Sequence, residues 1–316
     1  MRIVFFGSPA TALPALNALL SAGHEIKLVI TQPDRPAGRG QKLTPPAVKV
    51  YAENHGLPYL QPEKIRKDEK ALELIREARP EVNVVVAYGQ IIPASIIYLP
   101  PWKSLNLHFS LLPRYRGAAP VQWAILNGER FTGVTIFQLN EKMDEGPVLA
   151  QEMVEILPRE NAPELETRLA HIGARLLLET LKNINRLEQR EQDHSLATYA
   201  PKLTKDQGKI DWQEPAEVID RKVRALVGWP GAFTFFQGQR LEITNGQVTQ
   251  GVMPEARPGE VVQIDKSGIY VCCGRRTFYL IEKVKPEGKK EMSAYAFSLG
   301  GKVKVGTCLG PEFPRN

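Results

Sequence analysis

Two rhythms of apolar and polar residues divide the chain. In the first, short apolar runs alternate with amphipathic stretches: a run at 2–6 (RIVFF), a helical pattern over 10–22, then a run at 25–31 (EIKLVIT). Strand, short helix and strand at this spacing form a βαβ unit, which implies parallel pairing through a right-handed crossover. The rhythm continues with a loop over 32–46, a helix over about 47–55, a short strand near 58–60 and a helix over about 63–78. The run 81–87 (EVNVVVA) is apolar without a break, the mark of a strand buried on both faces. A strand over 104–109, a helix over about 119–127, strands at 132–139 and 147–156 and a long amphipathic helix over about 162–188 follow.

Past a polar, weakly periodic stretch taken as a linker (190–204), the grammar changes. One helix, 215–226, precedes strand-like pieces at 232–236, 240–244, 259–265, 268–273 and 277–283. Turns containing Gly or Asn separate them at roughly 8–12-residue spacing, the signature of a small barrel or sandwich. The expected fold class is therefore α/β: a Rossmann-like parallel-sheet domain over 1–189, then a smaller β domain over 205–316.

Composition changes this picture little. At 316 residues and 43% hydrophobic, the chain suits one large or two medium domains. No uncharged apolar run approaches the roughly 18 residues a membrane helix needs, so no membrane partner is expected. The opening apolar stretch is too short for a signal peptide and reads as a first buried strand. Cys272, Cys273 and Cys308 are odd in number and lack C-x-x-C spacing, so neither a disulfide framework nor a zinc site is indicated. A cytoplasmic location and no metal are the expectation. The adjacent Cys272 and Cys273 point to opposite sides if they lie in a strand, and nothing assigns them a role. The net charge of +6 permits a polyanionic partner without requiring one.

Candidate chemistry concentrates in one place. Asn106 and His108 are two apart, so in a strand they share a face. They sit at a strand end, where open α/β sheets bind ligands. An imidazole can exchange a proton near neutral pH, and an amide can donate to a developing oxyanion. Asp144, in a loop after the 132–139 strand, could orient the ring or relay a proton. No G-x-S-x-G elbow, G-x-G-x-x-G turn, P-loop or H-E-x-x-H motif is present, which argues against a serine hydrolase, a dinucleotide, an NTP or a zinc protease. From spacing alone two readings stay open: a strand end whose polar groups satisfy nearby backbone, or an acyl-transfer site.

Asn106-x-His108 followed by Ser110-Leu111-Leu112-Pro113 and a later Asp144 resembles the signature of the 10-formyltetrahydrofolate-dependent formyltransferases. The longer run through Arg116, Gly117 and Pro120, the 31–40 loop (TQPDRPAGRG), and Lys209-Ile210-Asp211-Trp212 with Trp229-Pro230 are similar to the branch of that family acting on a charged tRNA. The resemblance implies a Rossmann-like catalytic domain with an OB-like β-barrel behind it. It implies 10-formyltetrahydrofolate as co-substrate and initiator methionyl-tRNA as acceptor, in a monomeric enzyme. Asn106, His108 and Asp144 take the catalytic positions. Tyr88, Gly89, Ile91, Ile92, Ser110, Leu111, Leu112, Pro113, Leu139 and Asn140 fall in the folate-binding segments. Arg35, Arg39 and Lys42 belong to the loop expected at the tRNA acceptor end, and Arg275, Arg276, Lys289 and Lys290 to a basic C-terminal surface. In the first turn, Gly7-Ser8-Pro9 carries Ser where the family pattern leads one to expect Thr. Within the family the rivals are a formyltransferase for an amino-sugar nucleotide and a formyl-folate hydrolase; outside it, a non-catalytic RNA-binding protein.

Overall fold

The strands of the first half are β1 (Arg2–Gly7), β2 (Glu25–Ile30), β3 (Arg35–Ala37), β4 (Lys42–Thr44), β5 (Tyr59–Leu60), β6 (Val82–Val86), β7 (Ser104–His108), β8 (Arg116–Gly117), β9 (Phe131–Gln138), β10 (Val148–Glu155) and β11 (Tyr199–Ala200). They come from a computed structural model that describes residues 1–37, 42–249, 256–300 and 303–310. Seven form one sheet in the order β10-β9-β7-β6-β1-β2-β5. β1, β2, β5, β6 and β7 are parallel. β9 runs antiparallel to β7, and β10 antiparallel to β9. The parallel expectation thus needs one correction. Only the short segment 139–147 joins β9 to β10, and a parallel connection needs a crossover of a dozen or more residues.

Apolar continuity explains the central strands: every residue of β6 and all but Arg2 of β1 are buried. The helices Leu13–Ser21 and Glu69–Glu77 supply covering layers. Pro14 lies in the first turn of the former, where its missing N–H costs nothing. Asp68 caps the latter, its carboxylate accepting from the Ala71 N–H at 2.9 Å. Phe6, Ile30, Ile75, Val85 and Ile96 share one core cluster. After β1 the chain moves outward through β2 and β5, then returns to the other side of β1 with β6 and β7. That reversal is the topological switch point, beside which ligands bind in such sheets.

Three segments differ from the sequence expectation. The predicted 32–46 loop carries the antiparallel hairpin β3–β4, with Gly38–Gln41 at its tip outside the described residues. The long helix ends at Asn183. The polar stretch 190–204 contains a buried Gln192, a helical turn at His194–Leu196 and β11, which pairs in parallel with β8.

By contact density the chain divides into two compact units: Met1–Pro120, Phe131–Glu155 and Glu166–Pro201 form one, and Val121–Arg130, Ile156–Leu165 and Lys202–Asn316 the other. The second is built on β12 (Ala232–Phe236), β13 (Gln239–Val248), β14 (Val261–Asp265), β15 (Gly268–Cys272), β16 (Phe278–Pro286) and β17 (Met292–Ser293). Their order is β12-β13-β16-β15-β14, with β17 on β16, and all pairings are antiparallel. Gln237 and Gly238 both adopt positive φ, the geometry a two-residue hairpin demands. The helix Ala216–Ala225 places Ala216, Ile219 and Val223 against the sheet at helical spacing, joining Trp212, Leu241, Tyr279 and Ile281 in one core. Cys272 and Cys273 pack into different clusters, as opposite strand faces require, and burial pushes both thiols up. Among the described residues no helix is long and apolar enough to cross a membrane.

Candidate active site

The end of β7 brings the three candidate catalytic residues together. His108 is its last residue and is 7% exposed; Asn106 precedes it on the same face, half-buried. The Asn106 amide bonds no other side chain among the described residues. Asp144 arrives on the loop between β9 and β10, and its carboxylate Oδ2 lies 3.8 Å from His108 Nδ1. His108 Nε2 lies 2.8 Å from the Tyr115 carbonyl oxygen. A carbonyl only accepts, so Nε2 carries the proton and Nδ1 is the nitrogen left to take another. Asp144 Oδ2 itself accepts the Gly117 N–H at 2.8 Å, and its backbone is left-handed, with φ of 55°. The edge of Phe137 closes the ring's other side, with centroids 6.4 Å apart.

The Ser110–Pro113 turn is largely self-satisfied. The Ser110 hydroxyl donates to Arg114 O at 2.6 Å, and its carbonyl accepts from Thr135 Oγ1 at 2.6 Å. Leu112 is buried on Phe137 and Val148, whereas Leu111 and Pro113 are half-buried. This turn packs beside the site more than it offers free polar groups.

The segment after β6 divides in the same way. Tyr88 and Ile92 belong to the core, Tyr88 meeting the Phe6 ring edge-on at 5.5 Å between centroids. Burial pushes the Tyr88 phenol up. Its carbonyl accepts from Ser8 Oγ at 3.2 Å and Gln32 Nε2 at 3.0 Å, while the Gln32 N–H donates to Ser8 Oγ at 3.1 Å. Ser8 thus ties the ends of β1, β2 and β6 at the switch point, a service threonine's hydroxyl could also perform. What remains for a ligand here is Gly89, at φ 83°, and the side chain of Ile91, which is 74% exposed. Leu139 and Asn140 follow β9, half-buried; the Leu139 N–H donates to Ser104 O at 2.8 Å, and Asn140 Oδ1 accepts from the Lys142 N–H at 3.0 Å.

The candidate basic residues are scattered. Arg35 opens the hairpin strand β3 in an exposed pair with Glu63 at 2.8 Å. Lys42 begins β4, exposed, and Arg39 lies outside the described residues. Arg275 and Arg276 form a left-handed turn before β16, whereas Lys289 and Lys290 lie in the turn after it. Nine residues of strand lie between the two pairs, roughly 27 Å at strand rise, which puts them at opposite ends of β16. Lys209-Ile210-Asp211-Trp212 lines a cavity of about 420 Å³ in the second unit with Pro258 and Leu309.

Sequence reading gave no role to Arg116 or Gln192, 1% and 6% exposed, which lie behind Asp144. Gly117, at φ 120° with the position of a would-be Cβ 2.7 Å from Ala200 O, hinted only that its neighbourhood is tightly packed.

An amide, an imidazole and a carboxylate brought together beside the switch point of an α/β sheet define a group-transfer protein. Profile matches give the family: "Formyl transferase" over residues 1–181 and "Formyl transferase, C-terminal domain" over 202–301. The chain belongs to the formyl transferase family. It is 44% identical over 314 residues to a protein of Geotalea uraniireducens named methionyl-tRNA formyltransferase, covering 99% of each chain. Among solved structures its fold matches HypX from Aquifex aeolicus in complex with tetrahydrofolic acid (TM-score 0.63, 19% identity), over 94% of this chain but 47% of that longer one. It also matches an N-formyltransferase from Helicobacter canadensis in complex with folinic acid and dTDP-3-aminofucose (TM-score 0.64, 17% identity), over 89% of this chain and 98% of that one. At such identities the shared fold does not select an acceptor.

Proposed function

We infer that this chain transfers the formyl group of 10-formyltetrahydrofolate to the α-amino group of methionine on initiator methionyl-tRNA. The convergence of Asn106, His108 and Asp144 at the end of β7 carries the chemistry. The near-full-length identity to a methionyl-tRNA formyltransferase, spanning both units, supports the acceptor.

The amine nitrogen adds to the formyl carbon, and the formyl oxygen takes up negative charge. The Asn106 amide, which bonds no side chain among the described residues, donates to that oxygen. The ring that already holds a proton on Nε2 accepts the amine proton at Nδ1, with the Asp144 carboxylate beside the new positive charge. His108 then returns the proton to the folate nitrogen as its bond to the formyl carbon breaks. The new amide keeps the formyl group, and folate leaves with the proton.

The residues around the site fit a folate. Gly89 allows close backbone approach, Ile91 offers an apolar face, and Leu139 and Asn140 line the neighbouring loop. Arg35, Arg39 and Lys42 of the 35–44 hairpin segment would hold the tRNA acceptor end, since arginine and lysine bind phosphate. The test is a formylation assay offering initiator methionyl-tRNA, elongator methionyl-tRNA and a dTDP-amino sugar in turn. Rapid formylation of initiator methionyl-tRNA alone is expected. Preference for the sugar, or release of formate without transfer, would overturn the acceptor.

A further inference from the structure

The carboxylate proposed to serve His108 sits on the short loop 139–147, which is braced by bonds from a distant part of the chain. Asp144 is a non-glycine residue at φ 55°, a conformation that persists only where surroundings impose it. Gly146 in the same loop packs its α-carbon so tightly on the Gln138 carbonyl that no side chain fits. A buried amide from a distant part of the chain braces the loop's backbone. Gln192 Nε2 donates to two carbonyls of this loop, Asp144 O at 2.9 Å and Gly146 O at 2.7 Å.

The other end of that amide is fixed as firmly. Gln192 Oε1 accepts from Arg116 Nε at 3.2 Å and Nη2 at 2.7 Å. The buried guanidinium also donates to His194 Nδ1 at 2.9 Å and pairs with Glu145 Oε1 at 3.4 Å. The residue after Arg116, Gly117, donates its N–H to the Asp144 carboxylate. Arg116 and Gln192 therefore grip both ends of the same short loop: its backbone through Gln192, and its carboxylate through the neighbouring strand. A buried charge is tolerated when paired and fully bonded, and this one is spent on geometry.

We propose that Gln192, held by Arg116, is a positioning residue that sets Asp144 against His108. It touches neither substrate nor the reacting atoms and acts through the Asp144 backbone. The proposal rests on the catalytic role given to Asp144 above.

Gln192→Glu tests it. A carboxylate there keeps, and strengthens, the bond to Arg116 but cannot donate to either loop carbonyl. The expected result is a folded enzyme whose kcat falls about 10- to 100-fold, the scale at which a displacement of about 1 Å slows catalysis. KM for both substrates should stay within about threefold by the same logic, because no binding group is removed. The kcat–pH profile should also shift, since the carboxylate beside Nδ1 has moved. The double variant Gln192→Glu/Asp144→Asn should be no slower than Asp144→Asn alone, because both act through one group.

Wild-type kcat with an unchanged pH profile in Gln192→Glu would overturn the proposal. So would losses that multiply in the double variant, or a loss confined to thermal stability. Should Gln192→Glu not fold, Gln192→Asn keeps every donor and acceptor but is one methylene too short to reach both carbonyls, and the same readouts apply. Full activity in Asp144→Asn would instead sink the catalytic reading on which the proposal stands.

Discussion

The end of β7 and the β3–β4 hairpin are both polar, yet they are built in opposite ways. At β7 the imidazole is 7% exposed, its Nε2 is bound to a carbonyl, and the facing carboxylate is bonded to Gly117. On the hairpin, Arg35 and Glu63 form a pair with side chains 59% and 71% exposed, and Leu43 is 71% exposed. Beside the hairpin's base, Lys49 grips Asp34 at 2.8 Å and Gln61 Nε2 donates to the same carboxylate at 2.7 Å. A group that must meet developing charge is worth most when it cannot reorient, because no reorganisation is then needed during reaction. A surface proposed to meet a large polyanion works through exposed charge more than through burial. The β7 site should therefore govern turnover, and the exposed basic segments should govern acceptor binding.

Breaking the rigid side has the largest effect. His108→Ala removes the proton carrier, and kcat should fall about 10²- to 10⁴-fold while folate affinity is retained, as steady-state kinetics and equilibrium titration would register. Gly117→Ala comes next. Its Cβ would lie 2.7 Å from Ala200 O at a φ of 120°, so β8 must shift and take the N–H that holds Asp144 with it. Stability should drop by about 1–3 kcal/mol in chemical denaturation, with turnover falling alongside.

The exposed basic side responds to salt and substitution through KM. Raising potassium chloride from about 50 to 200 mM should weaken methionyl-tRNA binding steeply while leaving folate binding nearly unchanged. Replacing Arg275, Arg276, Lys289 and Lys290 together by glutamine should reduce that salt slope without altering kcat at saturation. The mildest effect concerns pH. Hydrogen bonds from Gln61 and Lys49 hold the Asp34 carboxyl below its ordinary value. A lowered folded-state value stabilises the fold above the unfolded value, and that share is lost as pH falls through the folded one. Asp34→Asn should therefore flatten the decline in Tm between about pH 5 and pH 3.

The elements of this fold were legible wherever burial imposed a period. Unbroken apolar runs marked β1 and β6, and 3–4 spacing marked the helix Ala216–Ala225. The hairpin was illegible because its strands are three residues each and carry Pro36 and exposed side chains. Asn106 and His108 could be paired from the sequence because a strand fixes which residues share a face. Asp144 could only be offered as a companion, since chain order does not say which loops meet. Arg116 stood in the sequence only as part of a longer motif, with no role given, and Gln192 escaped altogether. A charged residue and a glutamine in polar surroundings look solvated, and what buries them is a partnership across 76 residues that leaves no local period. In the C-terminal basic run, closeness in sequence did not reveal that Arg275–Arg276 and Lys289–Lys290 stand at opposite ends of β16.

The central claim, that the β7 amide stabilises charge on the transferred formyl oxygen, is tested most directly by the single-turnover formylation rate of Asn106→Ala with folate and initiator methionyl-tRNA both saturating. Loss of that donor should slow the chemical step about 10²- to 10³-fold with substrate affinities close to wild type. A single-turnover rate within about threefold of wild type, far below the cost of a lost oxyanion donor, would contradict it.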